Sequence, residues 1–191
     1  MRILMIVGDF NEDLEVRFPQ QSMEMLGHDF HTVSSGKPAG STVVTAVHDL
    51  ADASLQSYTE ARGHAFPVTH DFEKIDLADY DALVIPGGRA PEYQRCDEKI
   101  LDLVRHFFKA DKPVACTCHG IQILAAAGVI QGRTVTAIPF CRIEAELAGA
   151  TFVDRGLDGI EVDGVLVTAS TWMSNAPWMR AFNEILVGAK V

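Results

Sequence analysis

Along this chain, short runs of β-branched and aliphatic residues alternate with stretches that repeat apolar positions every three or four residues. Arg2 to Val7 is such a run, ending at Gly8, and has the form of a parallel strand buried on both faces. Asp81 to Ile85 is a second, closed by Pro86-Gly87-Gly88, and Pro113 to Thr117 is a third, leading straight into Cys118-His119-Gly120. Between them the period changes. Glu12 to Leu26 reads as a helix with Leu14, Phe18, Met25 and Leu26 close to one face and Gly27 as a stop; Pro19 should kink it or start a fresh turn. Asp97 is placed to cap a helix whose Ile100, Val104 and Phe107 face the sheet, and Ile121, Leu124 and Ala125 carry helical spacing toward Gly128.

The remaining segments are shorter. Phe30 to Val33 and Thr42 to Val47 read as strands, whereas residues 51 to 70, dotted with Ser, Gly and Pro, read as an irregular excursion with a hairpin as the alternative. A strand is expected at Arg133 to Ala137, a helix at Cys141 to Leu147, a hairpin from Ile160 to Ala169 turning at Asp163-Gly164, and a last helix near Ala176 to Leu186. Alternation of this kind predicts an α/β fold, a mostly parallel sheet sandwiched by helices, in one domain spanning 1 to 191.

Composition narrows the function. Hydrophobic residues make up 48% of the chain and charged residues 22%, enough apolar material for a full core. A formal net charge of −10, with no basic patch or run, argues against nucleic acid as a partner. No apolar stretch approaches the length of a membrane span and no signal-peptide cleavage region follows the first strand, so a membrane is not expected and the cytoplasm is the default location. Four cysteines, Cys96, Cys116, Cys118 and Cys141, are too few and too irregular for a disulfide framework. Cys116 and Cys118 are not the C-x-x-C pair of a zinc site and no matching pair exists, so no metal and no cofactor is expected.

Cys118 sits where a strand becomes a helix. A nucleophile elbow needs small neighbours two positions away, and Cys116 and Gly120 meet that need. Free N–H groups at the helix start favour a thiolate and should lower the thiol's pKa. The N–H groups of Gly87, Gly88 and His119 could hold an oxyanion formed when the sulfur attacks a carbonyl. The competing reading is a cysteine that only fills space. Cys116 reads as a small core residue rather than a disulfide partner of Cys118, and Trp172 as core or as a pocket wall.

Three segments in order, Val84-Ile85-Pro86-Gly87-Gly88-Arg89-Ala90-Pro91-Glu92-Tyr93, Ala115-Cys116-Thr117-Cys118-His119-Gly120 and Gly128-Val129-Ile130-Gln131-Gly132-Arg133, resemble the ThiJ/PfpI superfamily of the class I glutamine amidotransferase-like group. The likeness spans nearly the whole chain and implies a flavodoxin-like sheet with Cys118 as nucleophile. It also implies an acid after the first strand that reaches the sulfur, which in Gly8-Asp9-Phe10-Asn11-Glu12-Asp13 falls on Glu12 as proton shuttle, with a first-turn helix acid as the alternative. In PfpI-type proteases the histidine after the cysteine pairs with a glutamate of an adjacent subunit, which here implies His119, Glu92 and a homo-oligomer. Cys116, two before the nucleophile, departs from the pattern. So does the excursion at 51 to 70, longer than in the shortest members and similar to that of the plant tandem-domain glyoxalase relatives.

Three functions follow from the resemblance and the elbow together. The first is cofactor-free conversion of a small reactive carbonyl, a 2-oxoaldehyde, to a hydroxy acid, glyoxalase-like or deglycase-like, with Cys118 adding to the aldehyde and Glu12 moving the proton. The second is a cysteine peptidase or amidase acting on a peptide, with His119 as base and Glu92 as orienting acid. The third is a thiol-based oxidative-stress sensor or chaperone-like protein.

Overall fold

The computed structural model describes residues 1–51 and 54–188. Its centre is a six-stranded sheet made of β1 (Arg2–Ile6), β2 (Asp29–Val33), β5 (Ala82–Ile85), β6 (Val114–Thr117), β9 (Ile160–Asp163) and β10 (Leu166–Ala169), in the order β2-β1-β5-β6-β10-β9. All neighbours run parallel except β9 and β10. The runs read as buried strands are buried: β5 and β6 are inaccessible along their whole length, which is what helices on both faces of a parallel sheet require. The expected α/β sandwich is therefore the observed one.

Helices α1 (Asp13–Met25), α2 (Ala90–Gln94), α3 (Glu98–Lys109), α4 (Ile121–Ala127), α5 (Arg142–Leu147) and α6 (Asn175–Gly188) cover the sheet. Ile100, Val104 and Phe107 of α3 are buried, as their spacing requires, and Asp97 caps the helix by accepting a hydrogen bond from the Lys99 N–H. Gly128, in the left-handed region at φ 74°, ends α4. The hairpin turn at Asp163-Gly164 joins β9 to β10 as read, and the expected strand at Arg133 to Ala137 shrinks to β7 (Thr134–Val135), paired with β8 (Thr151–Phe152).

Two expectations are corrected. In α1 the residues read as the packed face, Leu14, Phe18, Met25 and Leu26, are exposed, while Glu15, Val16, Pro19 and Met23 are buried. The helix is rotated so that Glu15 points inward to accept a hydrogen bond from the Gly87 N–H, and this one polar contact puts a charged residue type on the buried stripe and misleads a count of apolar positions. The helix runs through Pro19 as one element. The excursion at 51 to 70 is the second correction: β4 (Thr59–Pro67) pairs antiparallel with β3 (Thr42–Asp49) in a two-stranded ribbon, with a register irregularity between Val44 and Ala46. Asp52 and Ala53 of that stretch lie outside the described residues. The ribbon is tied to the loop before α1, the Phe10 N–H donating to the Val44 carbonyl at 2.6 Å and the Ala46 N–H to the Asn11 carbonyl at 2.8 Å.

On the face covered by α1 and α6, Trp178 is fully buried against β10 and donates its indole N–H to the Val167 carbonyl at 3.3 Å. Trp178→Ala should lower unfolding free energy by roughly 3 to 5 kcal/mol, read as a shift in the urea midpoint at unchanged slope.

Candidate functional site

The C-terminal ends of β1, β5 and β6 meet at one place, where ligand chemistry gathers in open parallel sheets. There Cys118 adopts φ 55°, a left-handed conformation that costs a non-glycine residue about 1 to 3 kcal/mol. The strain lifts the side chain out of the line of β6 and leaves the sulfur at the end of the sheet, in the tight strand-to-helix turn expected. Close packing holds it: a Cβ on Gly87 would stand 2.6 Å from the Cys118 Cβ and 2.7 Å from Glu15 Oε2, and one on Gly120 would stand 3.0 Å from the Cys116 sulfur. Cys116 is buried in the core, filling the small slot two before the elbow.

The carboxyl that reaches the sulfur is that of Glu15. It is wholly buried; Oε2 accepts the Gly87 N–H at 2.8 Å, while Oε1 has no partner at normal hydrogen-bond length, although the Cys118 thiol and the Trp172 backbone are close enough to pull its pKa down. Burial first, and the Glu12 charge second, outweigh those contacts and push Glu15 up to about 8, so the acid carries its proton at neutral pH. Glu12, the residue expected at the sulfur, instead caps α1 by accepting the Leu14 N–H at 3.3 Å and bonds the ring and backbone N–H of His48 at 2.5 and 3.0 Å. Both acids border the site, one helical turn apart; the N-cap position turns Glu12 toward the ribbon and the third helical position turns Glu15 toward the elbow.

The Cys118 thiol is not depressed as its position at a helix start predicts. Burial, with the sulfur's residue 3% exposed, and the nearby Glu15 charge push it well up, against the pull of the His119 and Gly88 N–H groups. The helix that follows is a single 3-10 turn leading into α4, so the dipole available to offset desolvation is small. Of the three backbone donors expected to receive an oxyanion, Gly88 and His119 act on the sulfur, whereas the Gly87 N–H is already taken by Glu15.

His119 Nδ1 lies 3.4 Å from the sulfur, and burial together with the His48 charge lowers its pKa to about 4, which leaves it neutral. No hydrogen bond or ion pair joins it to Glu92 within the chain among the described residues; Glu92 is exposed on α2. The pocket over the sulfur is small, about 10 Å3, and is walled by Glu12, His48, Tyr58, Gly88, His119 and Trp172 among others. Trp172 is thus a wall residue. Tyr58 stands edge-on to both His48 and His119, with ring centroids 5.5 and 5.8 Å away.

Glu15, His48 and Tyr58 went unread in the sequence. For Glu15 the available signal was Glu12-Asp13-Leu14-Glu15 at a helix start, where residue three within the helix and not the cap faces the sheet; His48 and Tyr58 become visible only when β3 and β4 pair. A larger cleft of about 390 Å3 opens beyond Gly8 to Phe10, between Lys37, Arg89 and Tyr93, and no cysteine lines it. Among the described residues no group of three His, Cys, Asp or Glu is placed to hold a metal ion, and no helix is long and apolar enough to cross a membrane.

The sequence and the fold of this chain both have counterparts among known proteins. The DJ-1/PfpI family profile matches residues 1–185. The chain belongs to the DJ-1/PfpI family. Protein DJ-1 homolog D of Arabidopsis thaliana is 45% identical over 186 residues, covering 97% of this chain and 47% of the plant protein, so this DJ-1/PfpI chain spans about half the length of that relative. Deglycase PfpI of Pyrococcus furiosus is 34% identical over 186 residues, covering 97% of this chain and 99% of the relative. The crystal structure of Drosophila melanogaster DJ-1beta has the same fold, with a TM-score of 0.80 at 18% identity over 98% of this DJ-1/PfpI chain and 90% of that one.

The raised pKa of Glu15 makes a stability prediction. The folded chain keeps a proton between pH 4.5 and about 8 that the unfolded chain loses, so Glu15 lowers stability progressively as pH rises through that window and adds no further slope above it. Glu15→Gln should therefore gain stability relative to the wild type from pH 5 to pH 8, by a few kcal/mol across the window. Denaturation curves at intervals of one pH unit check this; a difference independent of pH would show Glu15 to be ionised in the fold.

Proposed function

We propose that this protein is a cofactor-free enzyme that converts a small 2-oxoaldehyde, or the adduct such an aldehyde forms with an amine, into a hydroxy acid. The observation that carries the reading is the pairing of a protonated, buried Glu15 with the Cys118 sulfur, which lines a small pocket at the end of the sheet. Relatives of matching length are named deglycases, among them those of Pyrococcus furiosus and Thermococcus kodakarensis, which favours the same chemistry.

In this reading the first proton leaves the thiol for water as substrate binds, and the second is shared between Glu15 and Cys118. Substrate entry draws the thiolate form: sulfur adds to the aldehyde carbon, the carbonyl π electrons move to oxygen, and the Gly88 and His119 N–H groups receive the oxyanion. The Glu15 proton then neutralises that oxygen, and the resulting carboxylate takes the hydrogen from C1 and returns it to C2 through an enediol. The product is a 2-hydroxyacyl thioester of Cys118. Water hydrolyses it, releasing the hydroxy acid and restoring the shared proton, and no electron leaves the substrate.

Peptide hydrolysis needs His119 as a base held by an acid, and within one chain His119 is neutral with its Nδ1 facing the sulfur and no carboxylate on it. That reading would require Glu92 of a second subunit, and Glu92 is exposed where a neighbouring copy could reach it.

With methylglyoxal as substrate, Cys118→Ala should reduce lactate formation to the rate without enzyme, and Glu15→Gln should cost roughly 100-fold or more, more than Glu12→Gln. Lactate formation that survives Cys118→Ala, or a fluorogenic peptide cleaved with an acyl-enzyme burst while methylglyoxal is untouched, overturns the assignment.

A further inference from the structure

The β3–β4 ribbon brings His48 into the wall of the Cys118 pocket, and nothing in the reaction derived above uses it. Its side chain is 5% exposed and both ring nitrogens face carboxylates: Nδ1 lies 2.5 Å from Glu12 and Nε2 lies 3.2 Å from Glu60. The ring is thus held between two carboxyl groups, one at each nitrogen. Glu60 is fixed in turn by Arg89, at 2.7 and 3.1 Å, and Arg89 lies over the Phe10 ring with 4.4 Å to its centroid. Arg89 follows directly on Gly88, so the row Glu12, His48, Glu60, Arg89 leaves the site at α1 and returns to it beside β5.

We propose that His48 is a positioning residue of this site: clamped between Glu12 and Glu60, it fixes the Glu12 carboxyl in the wall of the Cys118 pocket, one helical turn from Glu15, and through Glu12 it keeps the Glu15 proton in place beside the sulfur. The inference rests on the proposed reaction, which needs the proton there. Glu12 is 2% exposed and, without the ring, would keep only the Leu14 and His48 backbone N–H groups as partners among the described residues, too few to fix its carboxyl in the wall. Glu12 is the second influence holding the proton on Glu15, and a charge on Glu15 in turn raises the Cys118 thiol, so loss of the clamp makes the sulfur harder to ionise. The other groups facing His48 are the Tyr58 ring, edge-on at 5.5 Å, and His119, whose charging His48 opposes.

The readout needs no substrate. The rate of Cys118 alkylation by iodoacetamide is followed by mass across pH 5.5 to 9 in the full chain, with Cys96→Ser, Cys116 and Cys141 mapped by peptide digestion. Replacing the clamp, as in His48→Gln, should move the alkylation midpoint to higher pH and slow the reaction about tenfold at pH 7, one pKa unit of displacement. Glu12→Gln should do the same, and the double variant should be no slower than either single one, because both remove one charge arrangement. Glu60→Gln, on the partly exposed side of the ribbon, should shift the midpoint in the same direction by less. A folded His48→Gln protein with the wild-type profile overturns the proposal; if His48→Gln fails to fold, a wild-type profile in Glu60→Gln overturns it instead. Methylglyoxal left unconverted by a wild-type protein that shows these alkylation shifts would remove the reaction and leave the coupling standing.

Discussion

A buried carboxyl group facing a buried thiol is the constraint around which this site is arranged. Glu15 and Cys118 sit where water cannot screen them, so negative charge on the pair is expensive and both groups hold their protons near neutral pH. The rest of the local structure serves that arrangement. Gly87 has no Cβ because Glu15 and Cys118 occupy the space a Cβ would take, and its N–H is spent on Glu15. Helix α1 gives up the burial of Leu14 and Phe18 to aim Glu15 inward, a loss of apolar burial that only a functional group justifies.

Two opposing effects act on the sulfur, and their balance changes the expected chemistry. A cysteine at the start of a long helix gains from the dipole and ionises readily, whereas this one is dry and followed by a single 3-10 turn, so desolvation wins. The sulfur's reactivity then depends on a neighbour that stays uncharged beside it and can give its proton to the substrate oxygen. Glu15, at about 8, is such a neighbour; a surface glutamate near its ordinary value is not. The left-handed backbone of Cys118 contributes geometry and the carboxyl contributes the proton, and neither replaces the other.

Much of this was legible from residues alone. The strand runs at Arg2, Asp81 and Pro113, the α3 face and the Cys118 elbow follow from period and punctuation, because buried parallel strands and capped helices leave local marks in sequence. The acid was misread by one helical turn: Glu12 and Glu15 are equally acidic and equally near the strand end, and only the rotation of α1, set by the Gly87 contact, decides between them. The ribbon strand Thr59–Pro67 was hidden for a different reason. Most of its residues are exposed, so apolar alternation, which marks a strand with a buried face, is weak there.

That ribbon is also where a shared fold acquires local chemistry. The parallel sheet of this chain places the elbow and its acid at one edge, and the pocket wall is left to whatever the connections supply. Here the connection supplies a ring between two acids. Glu12 and His48 are both buried, so removing either leaves the other without its side-chain partner there. The ribbon itself is pinned to the Phe10 to Asn11 backbone by hydrogen bonds of 2.6 and 2.8 Å, so the wall moves with the loop that carries Glu12. A side chain on an exposed ribbon would otherwise wander relative to the sulfur; these two backbone contacts are what hold the His48 ring, outside the sheet, against Glu12 at its edge.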